Sequence, residues 1–161
     1  MLKTFAICDH ICVPRTSASA TGNLSMPMPR LVLRRRTLAE VVGRCTSSRQ
    51  ERVFVGIGRV EGDRYVVEEV FECKNISPFP ETRFVADPMC MYRVYVYAEE
   101  RGWEIAVLIH SHPAPPAPSS EDLKGMKMWR VPWLIVDSSS GAHRAWMLVD
   151  DRLQEVALDL L

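Results

Sequence analysis

Apolar and polar positions divide this chain into an unpatterned start and a regular remainder. Up to about residue 27 no period of either kind is visible. The stretch "RTSASATGNLSMPMP" is small, polar and proline-bearing, the composition of a flexible leader. From Leu31 the pattern becomes orderly. "LVLRRR" predicts a short strand, and Thr37 with Glu40 three residues later has capping-box spacing, predicting a helix through about Arg49. "RVFVGIGRV", the turn "EGD" and "RYVVEEVFEC" predict a β-hairpin. "KNISPFPETRFVADP" predicts a loop, and "PMCMYRVYVYAEERGW" a helix closed near Gly102.

The continuous apolar run "EIAVLIHSH" predicts a strand buried on both faces. "SSEDLKGMKMW" then predicts a helix with Ser119 or Ser120 as its cap and acids in its first turn. Of "VPWLIVD", "HRAWMLVDD" and "LQEVALDLL", at least two read as strands. The order βαββαβαββ predicts an α/β (α+β) domain over residues 29–161, with a mixed central sheet flanked by helices, preceded by a leader over 1–28.

Composition narrows the function classes. The chain has 161 residues, 47% of them hydrophobic, enough for one core without disulfide staples. Twenty basic and 20 acidic residues cancel, so nothing draws the chain toward nucleic acid over long range. The run Arg34–Arg36 reads as a solvated helix edge. No apolar stretch approaches the ~20 residues that span a bilayer, and Asp9 and His10 interrupt any signal-peptide core, which predicts a cytoplasmic protein. Five cysteines are an odd number and argue against a fully paired secreted framework. "CDHIC" offers only half a zinc site. Cys73 and Cys90 each end up near the terminus of a predicted element, so a bridge between them is expected as a possibility open to test by intact mass. His143 is expected exposed on an edge strand, and the four tryptophans as core or interface residues.

The chemistry concentrates in "IHSHPAPPAPSSEDL". Residues i and i+2 of a strand share a face, so His110 and His112 can project two imidazoles together while Ser111 faces away. Pro113, Pro115, Pro116 and Pro118 stiffen the return and reduce the entropy lost in holding Asp122 near them. Two histidines and one carboxylate form a catalytic zinc set with an open fourth position. A zinc hydrolase also needs a proton-transferring base; the upstream carboxylates are candidates, Glu51 first among them because it stands where the first helix meets the first hairpin strand.

These residues resemble a known family. "HSHP" followed by "PSSED" is similar to the signature of the JAMM (MPN-plus) metalloproteases, His-x-His-Pro, a spacer, then Ser-x-x-Asp. Glu51 stands seven residues before Gly58, as the family's upstream glutamate stands before a glycine, and "NISPFPETRFVADP" resembles its segment of Asn, variable loop, Phe and Asp-Pro. The resemblance covers roughly residue 30 to the C-terminus. It implies a cytidine-deaminase-like fold, Zn2+ held by His110, His112 and Asp122, Glu51 as general base and then acid, and Ser119 as donor to the oxyanion. One departure stands out: six residues separate His112 from Ser119 where the family usually has seven, which leaves Ser120 as the alternative donor. The implied activity is hydrolysis after the C-terminal Gly-Gly of a ubiquitin-like protein, desampylase-like, with the tail bound as an added strand between the loop after Asn75 and the helix from Pro88. Processing of a ubiquitin-like sulfur-carrier precursor and a non-catalytic binding or scaffold module are the alternatives.

Overall fold

A computed structural model describes residues 28–161. The leader apart from Met28, and with it "CDHIC", lies outside the described residues. Ten elements follow one another: β1 (Arg30–Leu33), α1 (Arg35–Thr46), β2 (Val53–Glu61), β3 (Arg64–Cys73), α2 (Pro88–Glu100), β4 (Glu104–His112), α3 (Ser120–Met128), β5 (Trp133–Asp137), β6 (His143–Val149) and β7 (Arg152–Leu160). All three C-terminal apolar runs are strands, one more than the minimum expected.

The sheet is mixed, as the pattern predicts, but it also closes on itself in the order β1-β3-β2-β4-β5-β6-β7. Closure falls to β1, a four-residue strand parallel to both β3 and β7. It leaves no edge strand among the described residues, so His143 sits half-buried on β6, which lies between β5 and β7, its Nδ1 3.0 Å from the Gly141 carbonyl. The expected edge position is corrected: pairing between β1 and β7 joins residues more than a hundred positions apart, which no local pattern records.

Two buried clusters fill the domain. One packs α1, through Leu38, Val41 and Cys45, against residues such as Phe54, Ile109 and Val136. The other packs α2 and α3, through Met91, Val94, Ala98 and Met126, against Val55, Leu108 and Trp133. β4 lies between them, and all its residues from Ile105 to Ser111 are buried.

Helix α1 starts two residues before the expected cap. Arg34 is the N-cap, without a side-chain bond, and Thr37 lies inside the first turn. The Arg35 N–H donates to the Leu161 carbonyl, so the chain turns into helix directly after pairing with β7. Glu40 pairs instead with Arg36 one turn earlier. The helix also stops at Thr46, short of Arg49, where the Ser47 and Ser48 hydroxyls turn back to the Arg44 and Gln50 carbonyls. The exposed Arg34, Arg35 and Arg36 form the solvated edge expected.

Gly58 has a steric reason. β2 shifts register at Ile57/Gly58 against β3, and a Cβ there would fall 1.9 Å from the Val66 carbonyl oxygen. No helix among the described residues is long and apolar enough to cross a membrane.

Cys73, the last residue of β3, is bridged to Cys90 in the first turn of α2, 17 positions away. Closing a loop of that length removes unfolded-state entropy worth ~3 kcal/mol. Reduction, or Cys73→Ser with Cys90→Ser, is expected to lower stability by about that amount in urea titrations, and intact mass before and after reductant should differ by two hydrogens. The one free cysteine among the described residues, Cys45, is buried, and burial pushes its thiol up to about 11, making it inert.

Candidate metal and catalytic site

β4 brings the imidazoles to the surface of the core. Its neighbours are β2, antiparallel with Val53 opposite His110, and β5, parallel with Ile135 opposite His110 and Asp137 opposite His112. The strand alternation holds to its end. The Ser111 hydroxyl, on the α1 face, accepts from the Arg52 N–H at 2.9 Å, while His110 and His112 share the other face with ring centroids 5.6 Å apart. His110 is 1% exposed, stacked on Phe84 at 4.7 Å and edge-on to Trp133 at 5.8 Å. Its orientation is thus set by aromatic packing.

The proline loop returns Asp122 to the same point by two tight turns, with the Ala114 N–H on the His112 carbonyl and the Ala117 N–H on the Pro115 carbonyl. The Trp146 indole N–H donates to the Pro116 carbonyl at 2.7 Å and pins the loop to β6. Helix α3 begins with a capping box: the Ser119 hydroxyl accepts from the Asp122 N–H at 3.1 Å, and Asp122 Oδ2 accepts from the Ser119 N–H at 2.8 Å. The shorter spacer therefore still delivers Ser119, not Ser120, to the cap. Gly125 on α3 sits where a Cβ would fall 2.6 Å from the Trp133 ring, so the helix lies close against the histidine-bearing sheet.

One oxygen of Asp122 is used by the cap, and the other turns to the histidines. Asp122 Oδ1 lies 3.3 Å from His110 Nε2, close but without hydrogen-bond geometry. Burial acts to raise the Asp122 carboxyl, yet the adjacent His110 imidazole and the bonds from Ser119 outweigh it and hold the group well below the usual carboxylate range. One ligand atom each from His110, His112 and Asp122 lies within 4.8 Å of the others. His110 Nδ1 and Nε2 and His112 Nδ1 are buried with no hydrogen-bond partner among the described residues. Buried polar atoms left in this state cost free energy, and a shared cation would satisfy those turned inward. Imidazole and carboxylate donors suit a divalent transition metal, so the set fits one.

Glu51 is buried, 7% exposed, two residues before β2. Val53 pairs with His110, so the register leads Glu51 toward the His112 end of β4. Its N–H donates to the Pro80 carbonyl at 2.7 Å, and its carbonyl accepts from Asn75 Nδ2 at 2.9 Å. The sequence pointed to His110, His112, Asp122, Ser119 and Glu51. The holding roles of Phe84, Trp146 and the Asn75 side chain were not visible in it, because each acts across more than twenty residues of chain.

The sequence pattern of a family described as prokaryotic homologs of the JAB domain matches residues 35–149. The chain belongs to this family. Among relatives of this JAB-domain chain is a protein of Thermus thermophilus named as a probable TtuB-protein conjugate cleaving protease, 37% identical over 107 residues, 66% of this chain and 68% of that one. A protein of Pyrococcus furiosus named desampylase is 42% identical over 77 residues, 47% of this chain and 54% of the other. In fold, the JAB-domain chain is similar to a protein of Desulfitobacterium hafniense in solution, with a TM-score of 0.71 at 24% identity over 81% of this chain and 92% of that one. A Salinibacter ruber protein gives 0.59 at 21% identity, over 82% and 91%.

The capping box separates two serine roles in the metal-free protein. Ser119→Ala removes the cap and should cost ~1 kcal/mol, whereas Ser120→Ala on the exposed first turn should stay within ~0.5 kcal/mol. Urea denaturation of chelator-treated protein measures both.

Proposed function

We propose that this JAB-domain protein is a zinc-dependent isopeptidase that hydrolyses the bond after the C-terminal Gly-Gly of a ubiquitin-like protein. The observation that carries the reading is the convergence of His110, His112 and Asp122 with buried ring nitrogens that have no hydrogen-bond partner among the described residues. The names of the two relatives support the substrate class. A scaffold module would need none of these groups, which disfavours the non-catalytic alternative.

His110, His112 and Asp122 would hold the metal. Zinc, when bound, supplies Lewis acidity that lowers the pKa of water toward ~7 and polarises a carbonyl. Glu51 orients the attacking water, takes one of its protons and delivers it to the departing lysine amine. Water oxygen bonds to the glycine carbonyl carbon, the C–N bond breaks, and both water protons end on the leaving nitrogen, giving a carboxylate and a lysine ammonium. The Ser119 hydroxyl, which accepts from the Asp122 N–H at the start of α3, donates to the developing oxyanion.

The substrate tail lies as an added strand against the loop after Asn75 and the start of α2. Ile76, Phe79, Met89 and Tyr92, large apolar residues exposed there, suit a peptide carried by a folded partner. Residues 29–161 form the metalloprotease domain, residues 1–28 a leader outside it, and the protein acts in the cytoplasm.

Metal analysis after zinc supplementation should give about one zinc per chain, and removal by chelator should abolish cleavage of a ubiquitin-like–lysine conjugate. Clearly substoichiometric zinc would overturn the proposal. Glu51→Gln should retain zinc but lose turnover. Ser119→Ala should lower kcat on the order of 100-fold while Ser120→Ala changes little; the reverse order would transfer the oxyanion role to Ser120.

A further inference from the structure

Glu51 lies outside the strand that follows it. β2 begins at Val53, and it is Arg52, not Glu51, that is tied to β4: its N–H donates to the Ser111 hydroxyl and its carbonyl accepts from the Ser111 N–H. The sheet therefore does not hold the Glu51 peptide groups. Both are held instead by the segment that follows β3. The Glu51 N–H reaches the Pro80 carbonyl at 2.7 Å, and its carbonyl receives Asn75 Nδ2 at 2.9 Å.

Asn75 also organises that segment. Nδ2 donates to the Arg83 carbonyl at 2.9 Å and approaches the Pro80 carbonyl at 3.4 Å. Oδ1 accepts from the Ser77 and Val85 N–H groups, each at 3.0 Å. Two backbone donors on one side and three carbonyls on the other leave only one orientation of the amide. The main chain adds an Asn75–Ala86 bridge and a bond from the Ile76 N–H to the Val85 carbonyl. A single side chain thus folds the loop, sets the Pro80 carbonyl that holds the Glu51 N–H, and itself holds the Glu51 carbonyl.

We infer that Asn75 is the positioning residue for Glu51, fixing the backbone from which the catalytic carboxylate projects. This rests on the role proposed above for Glu51. A general base must stand within hydrogen-bond reach of its proton, and displacement of about 1 Å is enough to lose much of the rate. The Asn75 amide also bonds the Arg83 carbonyl and the Val85 N–H on either side of Phe84, which stacks on His110, so zinc stoichiometry is measured beside the rate. Its direct bond to the Glu51 carbonyl predicts a loss that runs through Glu51 with zinc retained; loss of zinc in step with kcat would place the effect at His110 and overturn the assignment.

Asn75→Ala removes both halves of the amide, and Asn75→Asp keeps the acceptor that binds Ser77 and Val85 while losing the donor that reaches Glu51. In zinc-loaded full-length protein acting on a ubiquitin-like–lysine conjugate, both should lower kcat on the order of 10–100-fold, with KM within about two-fold and zinc stoichiometry unchanged. Introduced into the Glu51→Gln protein, either should change the remaining rate by less than about two-fold, because nothing is left to position. Hydrogen exchange on the metal-free protein should show the Glu51 N–H losing protection while the interior amides of β2 and β4 keep theirs. Equal losses in the parent and Glu51→Gln backgrounds, a parent-like kcat, or an unchanged Glu51 N–H would overturn the assignment of Asn75 alone. A parent-like rate for Glu51→Gln would remove Glu51 from catalysis and overturn both assignments together.

Discussion

The structure turns on placing two imidazoles at the end of a strand buried on both faces. A strand covered by α1 on one side and by α2 and α3 on the other has no water to satisfy polar groups. Ser111 meets that demand within the protein, through Arg52. His110 does not: it is enclosed by Phe84 and Trp133 and approached by the carboxylate of Asp122. The fold holds three potential ligand atoms together against their own desolvation cost, and a cation shared among them would offset it.

Each partner of that strand is held by a device suited to its distance along the chain. Asp122 is delivered locally, by prolines, two tight turns and a reciprocal cap with Ser119. Trp133 and Trp146, opposite one another on β5 and β6, brace the site from the side: one packs against His110 and Gly125, the other holds the Pro116 carbonyl. Glu51 arrives from the opposite neighbour, β2, and depends on a loop beyond β3 rather than on the sheet. The loop that holds Glu51 also carries Phe84, which stacks on His110, so the two sides of the site share a support.

Much of this was legible in the residues. The apolar run ending in His110 and His112 predicted a buried strand and the sharing of one face, because side-chain alternation is a property of the extended backbone alone. Ser119 or Ser120 with the acids after them predicted the start of α3, since capping is also local, and the cap is Ser119. The bridge between Cys73 and Cys90 was foreseen only as an option, because connectivity depends on how α2 packs. Thr37 misled: its spacing to Glu40 suits a capping box, but β1 had already turned into helix under the pull of its pairing with β7. His143 misled for a related reason, since closure of the sheet removed the edge it was expected to occupy.

The sequence by itself determined what depends on neighbours in the chain: the strand and helix periods, the paired histidines, the stiffened return to Asp122, and the family resemblance carried by those motifs. Tertiary structure decided what depends on distant partners. It closed the barrel through β1, stacked Phe84 on His110, and gave Asn75 its hold on Glu51. Those interactions arise only when segments far apart in the chain are packed together, and no local period encodes them.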